Sequence, residues 1–127
     1  MNDEVFQRRV VMALAGILAA DGVFDATATE WIRNDLARLR LPYALHRAFP
    51  PLKFGAAAGL LLGRRHRPLG RLTATLLIVY FVLATTAHTR AGDGLARHIP
   101  ALLLLAWSTA ALMTFEEDAA AIAAPSS

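Results

Sequence analysis

Three ionisable residues lie within six positions of one another where a long apolar run ends. The stretch ATTAHTRAGD, residues 84–93, contains His88, Arg90 and Asp93, with Gly92 beside the acid. An imidazole can donate a proton or a hydrogen bond to a carbonyl oxygen, and a guanidinium can stabilise negative charge that develops there. This chemistry would suit a quinone or a lipid head group at a membrane boundary.

Two further residues belong to the same candidate site, and the group also fits a structural role. Lys53 is a second cation that could face the ligand, and Tyr80 lies two turns earlier on the helix that ends in this stretch. Alternatively, Gly92 suits a helix C-cap, a cation complements the last helical turn, and Asp93 can pair with Arg90 or cap the next turn. The sequence favours this structural interpretation and leaves ligand binding open.

Other kinds of site have little support in the sequence. His88 and His98 lack the HxxxH or HExxH spacing and the neighbouring carboxylates that would suit a metal, so we expect no metal site. No nucleophile–base pair, glycine-rich phosphate loop or carboxylate dyad is present, which argues against a self-sufficient hydrolase or kinase. The absence of cysteine excludes disulfides, thiolate zinc sites and cysteine-ligated iron–sulfur clusters.

The composition indicates that these residues are positioned by helices in a membrane. The chain of 127 residues is 56% hydrophobic and only 18% charged, with a mean hydropathy of +0.43. Soluble domains are about 45–50% apolar and about 25% charged. The basic residues cluster beside the apolar runs rather than along one soluble face, a pattern typical of membrane proteins and not of nucleic-acid-binding proteins.

Four apolar segments predict an all-α, antiparallel four-helix membrane bundle that forms a single domain over residues 1–127. Each is shorter than the roughly 20 residues of a standard span, and flanking cations and histidines would extend it by snorkelling. We expect no cleaved signal peptide at the N-terminus, because the residues before Asp21 lack a suitable cleavage site. The predicted spans are residues 10–24, 50–63, 69–88 and 98–115.

The connection between the first two spans predicts a short amphipathic helix at the membrane interface. Thr27 and Glu30 have the spacing of a capping box, and Trp31 suits an interfacial position. Asp21 is interpreted as an interfacial terminator of the first span. At the other end of the chain, residues 119–127 predict a disordered tail.

Small residues predict how the helices pack. Gly55, Gly59 and Gly63 form two overlapping GxxxG steps in the second span. Lipid provides no hydrophobic force between helices, so close backbone contact at small residues stabilises their association instead. We therefore expect these three glycines at helix contacts.

Four spans place alternate connections on opposite sides of the membrane. His46, His88 and His98 are expected on one side and His66 on the other. The dense basic turn RRHRPLGR, residues 64–71, favours its own side as cytoplasmic, together with both termini.

The order of these motifs resembles the DoxX-like family of small four-span bacterial membrane proteins. The resemblance is carried by PPLKFGAAAGLLLG (50–63), LGRLTATLLIVYFVLATTAHTRAGD (69–93) and IPALLLL (99–105), and extends over residues 41–112. It implies a multi-pass protein of the bacterial inner membrane. The broader group is linked to a subunit of a thiosulfate:quinone oxidoreductase and to membrane oxidative-stress complexes. The first span departs from the family pattern.

Two functions follow as hypotheses. The first is an accessory or anchoring subunit of a membrane complex, possible partners being another membrane protein or a second copy of the chain. The second is a small quinone- or lipid-binding enzyme or carrier with its site at the His88 end. Quinone or lipid is the expected ligand in the second case, and nucleic acid is not an expected partner in either. The candidate site residues are Lys53, Tyr80, His88, Arg90 and Asp93.

Overall fold

The computed structural model describes residues 3–42 and 44–123, with side chains for residues 4–42 and 44–116. Within these ranges the chain is entirely helical, which confirms the expected all-α class. The helices are α1 (Asp3–Thr27), α2 (Thr29–Arg38), α3 (Leu45–Leu62), α4 (Arg67–Arg90) and α5 (Leu95–Ala123). α5 thus extends beyond residue 119, where we expected a disordered tail to begin, and residues 124–127 of that expected tail lie outside the described residues.

The first helix does not end at Asp21, so the interpretation of this residue as a terminator was wrong. α1 continues through Asp21 and Gly22 to Thr27, because the Asp21 carboxylate is bound by Lys53 of α3 instead of facing solvent alone. The predicted capping box was also wrong. Thr27 is the last residue of α1 and its hydroxyl donates to the Val23 carbonyl oxygen at 2.9 Å, while Ala28 precedes α2 without a side-chain cap.

The short helix α2 has one apolar face directed into the protein. Ile32 and Leu36 are buried, as is Leu39 directly after the helix. Trp31 is 53% exposed, and its ring packs edge-on against Phe24 of α1 with the centroids 5.4 Å apart. α2 therefore lies against the end of α1.

Three of the described helices are long and apolar enough to cross a membrane. They cover Glu4–Thr27, Arg67–Arg90 and Leu95–Glu116. α3 has 18 residues and includes Pro50 and Pro51, which lack the amide N–H that a helix interior uses. His46, Arg47 and Lys53 further reduce the apolarity of its first half.

The four longer helices pack side by side around one apolar core. α1 contacts α3 and α5, and α4 also contacts α3 and α5. The Trp107 indole on α5 donates to the Val10 carbonyl oxygen on α1 at 2.9 Å, which satisfies its polar N–H. The core residues are Val11, Leu14, Ala15, Leu18, Ala57, Leu60, Ala74, Leu77, Phe81, Ala111 and Phe115.

Large apolar side chains also cover the outside of the helices. On α4 an outward stripe is formed by Leu72, Leu76, Val79 and Leu83, each more than half exposed. A soluble monomer rarely exposes a continuous apolar surface of this kind. Together with the three candidate spans, the stripe identifies the chain as a membrane protein.

Close contact between α3 and α4 depends on two of the three glycines expected at helix contacts. A Cβ atom on Gly63 would lie 2.5 Å from the Gly70 Cα, and one on Gly59 would collide with Thr73. Gly55 differs from the expectation, because a Cβ atom there would meet open space. The reason is helical rotation: eight residues at about 100° each leave Gly55 roughly 80° away from Gly63 around the axis.

Gly63→Ala should lower the stability of the purified protein by about 1–3 kcal/mol, because the new methyl group would overlap backbone that has no room to move. The matched control is Gly55→Ala, which should be neutral or stabilising by up to about 1 kcal/mol through helix propensity. Thermal unfolding in detergent would measure both. Equal melting temperatures for the two variants would contradict the close approach of α3 and α4.

Candidate functional site

The candidate residues separate into two polar clusters. One is formed by Asp21, Asp25, Lys53 and Tyr80 and is called the Lys53 cluster. The other is centred on Asp93 and is described below. Both lie in the half of the molecule that contains the C-terminal end of α1 and the start of α3, because α1 and α3 pack in opposite directions.

In the Lys53 cluster, one ammonium group contacts two carboxylates. Asp21 and Asp25 are four residues apart on α1, so their side chains project from the same face. The Lys53 Nζ lies 2.6 Å from Asp21 Oδ2 and 2.6 Å from Asp25 Oδ2. The side chain of Lys53 is 9% exposed and that of Asp25 only 3% exposed. The contact therefore joins α1 to α3 through charges that are largely removed from solvent.

Aromatic rings enclose the same lysine. The Lys53 Nζ lies 5.7 Å from the centroid of the Phe49 ring, close enough for a cation–π interaction. The Phe49 ring also packs edge-on against Tyr80 of α4, with centroids 6.3 Å apart, so Phe49 contacts both Lys53 and Tyr80. Of the predicted site residues, Lys53 and Tyr80 are therefore brought together by α3 and α4.

The second group, the Asp93 cluster, consists of Asp35, Arg38, His88 and Asp93. Asp93 follows Gly92, whose φ of +73° lets the chain turn sharply at the end of α4, as its predicted C-cap role requires. One Asp93 oxygen lies 2.6 Å from His88 Nδ1, and the other accepts a hydrogen bond from Arg38 of α2. Arg38 also contacts Asp35 at 2.5 Å.

These contacts fix the charge state of Asp93. The hydrogen bond from Arg38, followed by that from His88, lowers the pKa of the Asp93 carboxyl from its usual 3.8 to about 2. The same interactions raise the pKa of the Arg38 guanidinium. Asp93 is thus an anion throughout the physiological range and connects α2 to the turn between α4 and α5.

The expected contact between Arg90 and Asp93 was wrong. The Arg90 guanidinium instead donates to the Leu39 carbonyl oxygen at 2.9 Å. Two partners, His88 and Arg38, already occupy the Asp93 oxygens. Arg90 consequently satisfies a backbone carbonyl at the end of α2 and provides a second connection between α2 and α4.

Sequence reasoning missed four charged residues that complete the clusters: Asp21 as a partner, Asp25, Asp35 and Arg38. The spacing of four residues between Asp21 and Asp25 was a usable signal, because it places two acids on one helical face. Arg38 gave no comparable signal, since its partner Asp93 is 55 residues away in the chain.

The arrangement around His88 can orient an imidazole but does not form a metal site. Asp93 holds Nδ1, which fixes the ring and its preferred tautomer. The His98 ring lies 5.8 Å from the His88 ring and is bonded to the Thr89 hydroxyl at 3.0 Å. Among the residues that the structure describes, no group of three His, Cys, Asp or Glu side chains could hold a metal ion.

Lys53→Met should destabilise the protein by about 3–5 kcal/mol, because it leaves two neighbouring carboxylates without their buried counter-charge. Asp25→Asn should have a smaller effect, since Lys53 keeps Asp21 as a partner. Adding Asp21→Asn and Asp25→Asn to Lys53→Met should recover much of the loss. Chemical denaturation in mixed micelles would rank the variants. A triple variant no more stable than Lys53→Met alone would show that the carboxylates do not cause the loss.

The stabilisation provided by Asp93 should depend on pH. Because the pKa is lowered to about 2, the ionised carboxyl stabilises the fold fully above about pH 4, and this contribution is lost as the pH falls towards about 2. The difference in melting temperature between the unaltered protein and Asp93→Asn should therefore shrink as the pH falls below about 4 towards about 2. A difference that does not change with pH would exclude the ionised pairing.

Comparison with known proteins agrees with the helical membrane architecture. The family model described as the DoxX-like family matches residues 10–111, and so includes both polar clusters. No curated protein and no solved structure matches the chain. Since the matched region covers well over half of the sequence, the chain belongs to the DoxX-like family.

Proposed function

We propose that this protein is an accessory or anchoring subunit of a bacterial inner-membrane complex, with a complex linked to redox or quinone chemistry as the candidate assembly, and that it is not itself a catalyst. The observation that carries this proposal is the pairing of the candidate ionisable groups with one another. Lys53 is bound by Asp21 and Asp25, and Asp93 by Arg38 and His88. Groups engaged in this way stabilise the fold and are not presented to a substrate.

The proposal includes four membrane crossings, with α3, which has 18 residues and contains Pro50 and Pro51, as the shortest of the four. An unpaired lysine inside a membrane is unfavourable by several kcal/mol, so it normally pairs with an acid on a neighbouring helix. The contact of Lys53 with two α1 carboxylates supplies this compensation. It supports the crossing of α3 beside α1, and α2 then lies at the membrane surface.

The same arrangement supports a common side for both ends of the chain. α1 begins, α3 ends and α4 begins in one half of the molecule, where Arg71 of α4 contacts Glu116 of α5 at 2.9 Å. The cations of the turn between α3 and α4 favour the cytoplasm for this side. The partner is then another membrane protein or a second copy, in contact with exposed apolar helix faces.

A second function, binding of a quinone or a lipid head group, is favoured by one specific observation. Asp93 fixes the His88 ring by accepting a hydrogen bond from Nδ1, which leaves Nε2 to accept a hydrogen bond from a ligand, such as a quinol hydroxyl, in the neutral imidazole, or to donate one in the protonated form. The His88 side chain is 17% exposed, so a ligand could reach it from the surface.

Purification in a mild detergent distinguishes the two functions. For an accessory subunit, His88→Ala should lower the melting temperature, while the size of the complex on native electrophoresis stays unchanged and extraction yields no stoichiometric quinone. For a binding protein, an extracted quinone should be lost in His88→Ala with little change in melting temperature. His66→Ala, at the opposite end of the helices, is the matched control. The second result would overturn the proposed function.

A further inference from the structure

A groove opens between α1 and α3 in the half of the molecule opposite the two polar clusters. It has a volume of about 380 Å³ and lies beside the start of α1 and the end of α3. Its lining combines charged and apolar side chains, namely Glu4, Val5, Arg8, Met12, Leu61 and Arg64. None of the candidate residues discussed above contributes to it.

The two arginines of the groove differ from those cations that form ion pairs within the protein. Within the described side chains, neither Arg8 nor Arg64 forms an ion pair, whereas Lys53 and Arg38 do. With Glu4, the charged lining groups sum to +1, from two positive charges and one negative charge. A second groove, between α4 and α5, differs in this respect, because its arginine, Arg71, is bound by Glu116 at 2.9 Å.

Apolar side chains continue from the two arginines along the outside of the helices. Met12 is 46% exposed and Leu61 48%. Met12 lies one turn further into the α1 span than Arg8, about 6 Å along the helix axis. The groove is therefore cationic at its end near the membrane surface and apolar on the side that faces the membrane interior.

We propose that this groove binds one anionic phospholipid, with its phosphodiester between Arg8 and Arg64 and an acyl chain along Met12 and Leu61. A guanidinium binds phosphate oxygens through two parallel N–H donors, so two guanidinium groups suit a single phosphodiester. The net charge of +1 matches a head group with one negative charge. An acyl chain of the same lipid would lie along Met12 and Leu61, a contact that free phosphate cannot make.

Native mass spectrometry of the purified chain, with equimolar phosphatidylglycerol and phosphatidylcholine in the detergent, tests the proposal. We expect one phosphatidylglycerol to be retained per chain. Arg8→Gln/Arg64→Gln should weaken its binding about thirtyfold, at about fivefold for each cation removed. The control Arg9→Gln/Arg65→Gln removes the same charge from adjacent positions that do not line the groove, and it should change binding by less than about threefold.

Three results would overturn the proposal. Equal weakening in both double variants would mean diffuse attraction to the basic end of the protein. Equal retention of phosphatidylcholine would mean that charge is not selected, and displacement by millimolar inorganic phosphate would mean that the acyl chain makes no contribution. Melting in lipid-free detergent checks that the double variants are folded. If one is not, Arg8→Gln and Arg64→Gln are measured singly, and each should weaken binding about fivefold.

Discussion

The architecture depends on the neutralisation of Lys53 by two carboxylates of α1. Without Asp21 and Asp25, the ammonium group would be buried between apolar helices at a cost of several kcal/mol. With them, α3 can lie against α1 although this helix contains Pro50 and Pro51 and carries charges in its first half. The position of α3 then determines that of α4, because the two helices meet at Gly63 and Gly70 with no space for a side chain.

The sequence was sufficient for the features that depend on local pattern. Apolar run lengths predicted the helical class, and the glycine after α4 predicted the turn that brings Asp93 back towards His88. It was insufficient where two distant segments had to meet. Asp21 was interpreted as a terminator because its partner, Lys53, is on another helix. Arg90 was assigned to Asp93 because the two are close in the chain, but the arginine that contacts Asp93 is Arg38, 55 residues away. The periodicity of a sequence predicts which residues share a helix face, but it does not predict which other segment of the chain that face contacts.

The two halves of the molecule use charge in different ways. In the half that contains the two polar clusters, cations are paired within the chain, and their contacts hold α1, α2, α3 and α4 in register. In the other half, Arg71 is bound by Glu116, but Arg8 and Arg64 line an open groove and form no ion pair among the described side chains. Charges that are satisfied internally stabilise a fold, whereas charges left at an apolar surface are available for recognition.

The connections made by α2 have a consequence for the order of assembly. The most extensive helix contacts are those of α1 with α3 and of α4 with α5, so each pair can form as a hairpin soon after synthesis. The bonds from Arg38 to Asp93 and from Arg90 to the Leu39 carbonyl span 55 and 51 residues and cannot form until α4 and the turn after it are present. Since closing a long loop is entropically unfavourable, the two contacts of α2 with the end of α4 are expected to form after the contacts within each helix pair, and so to add to the stability of an arrangement that already exists.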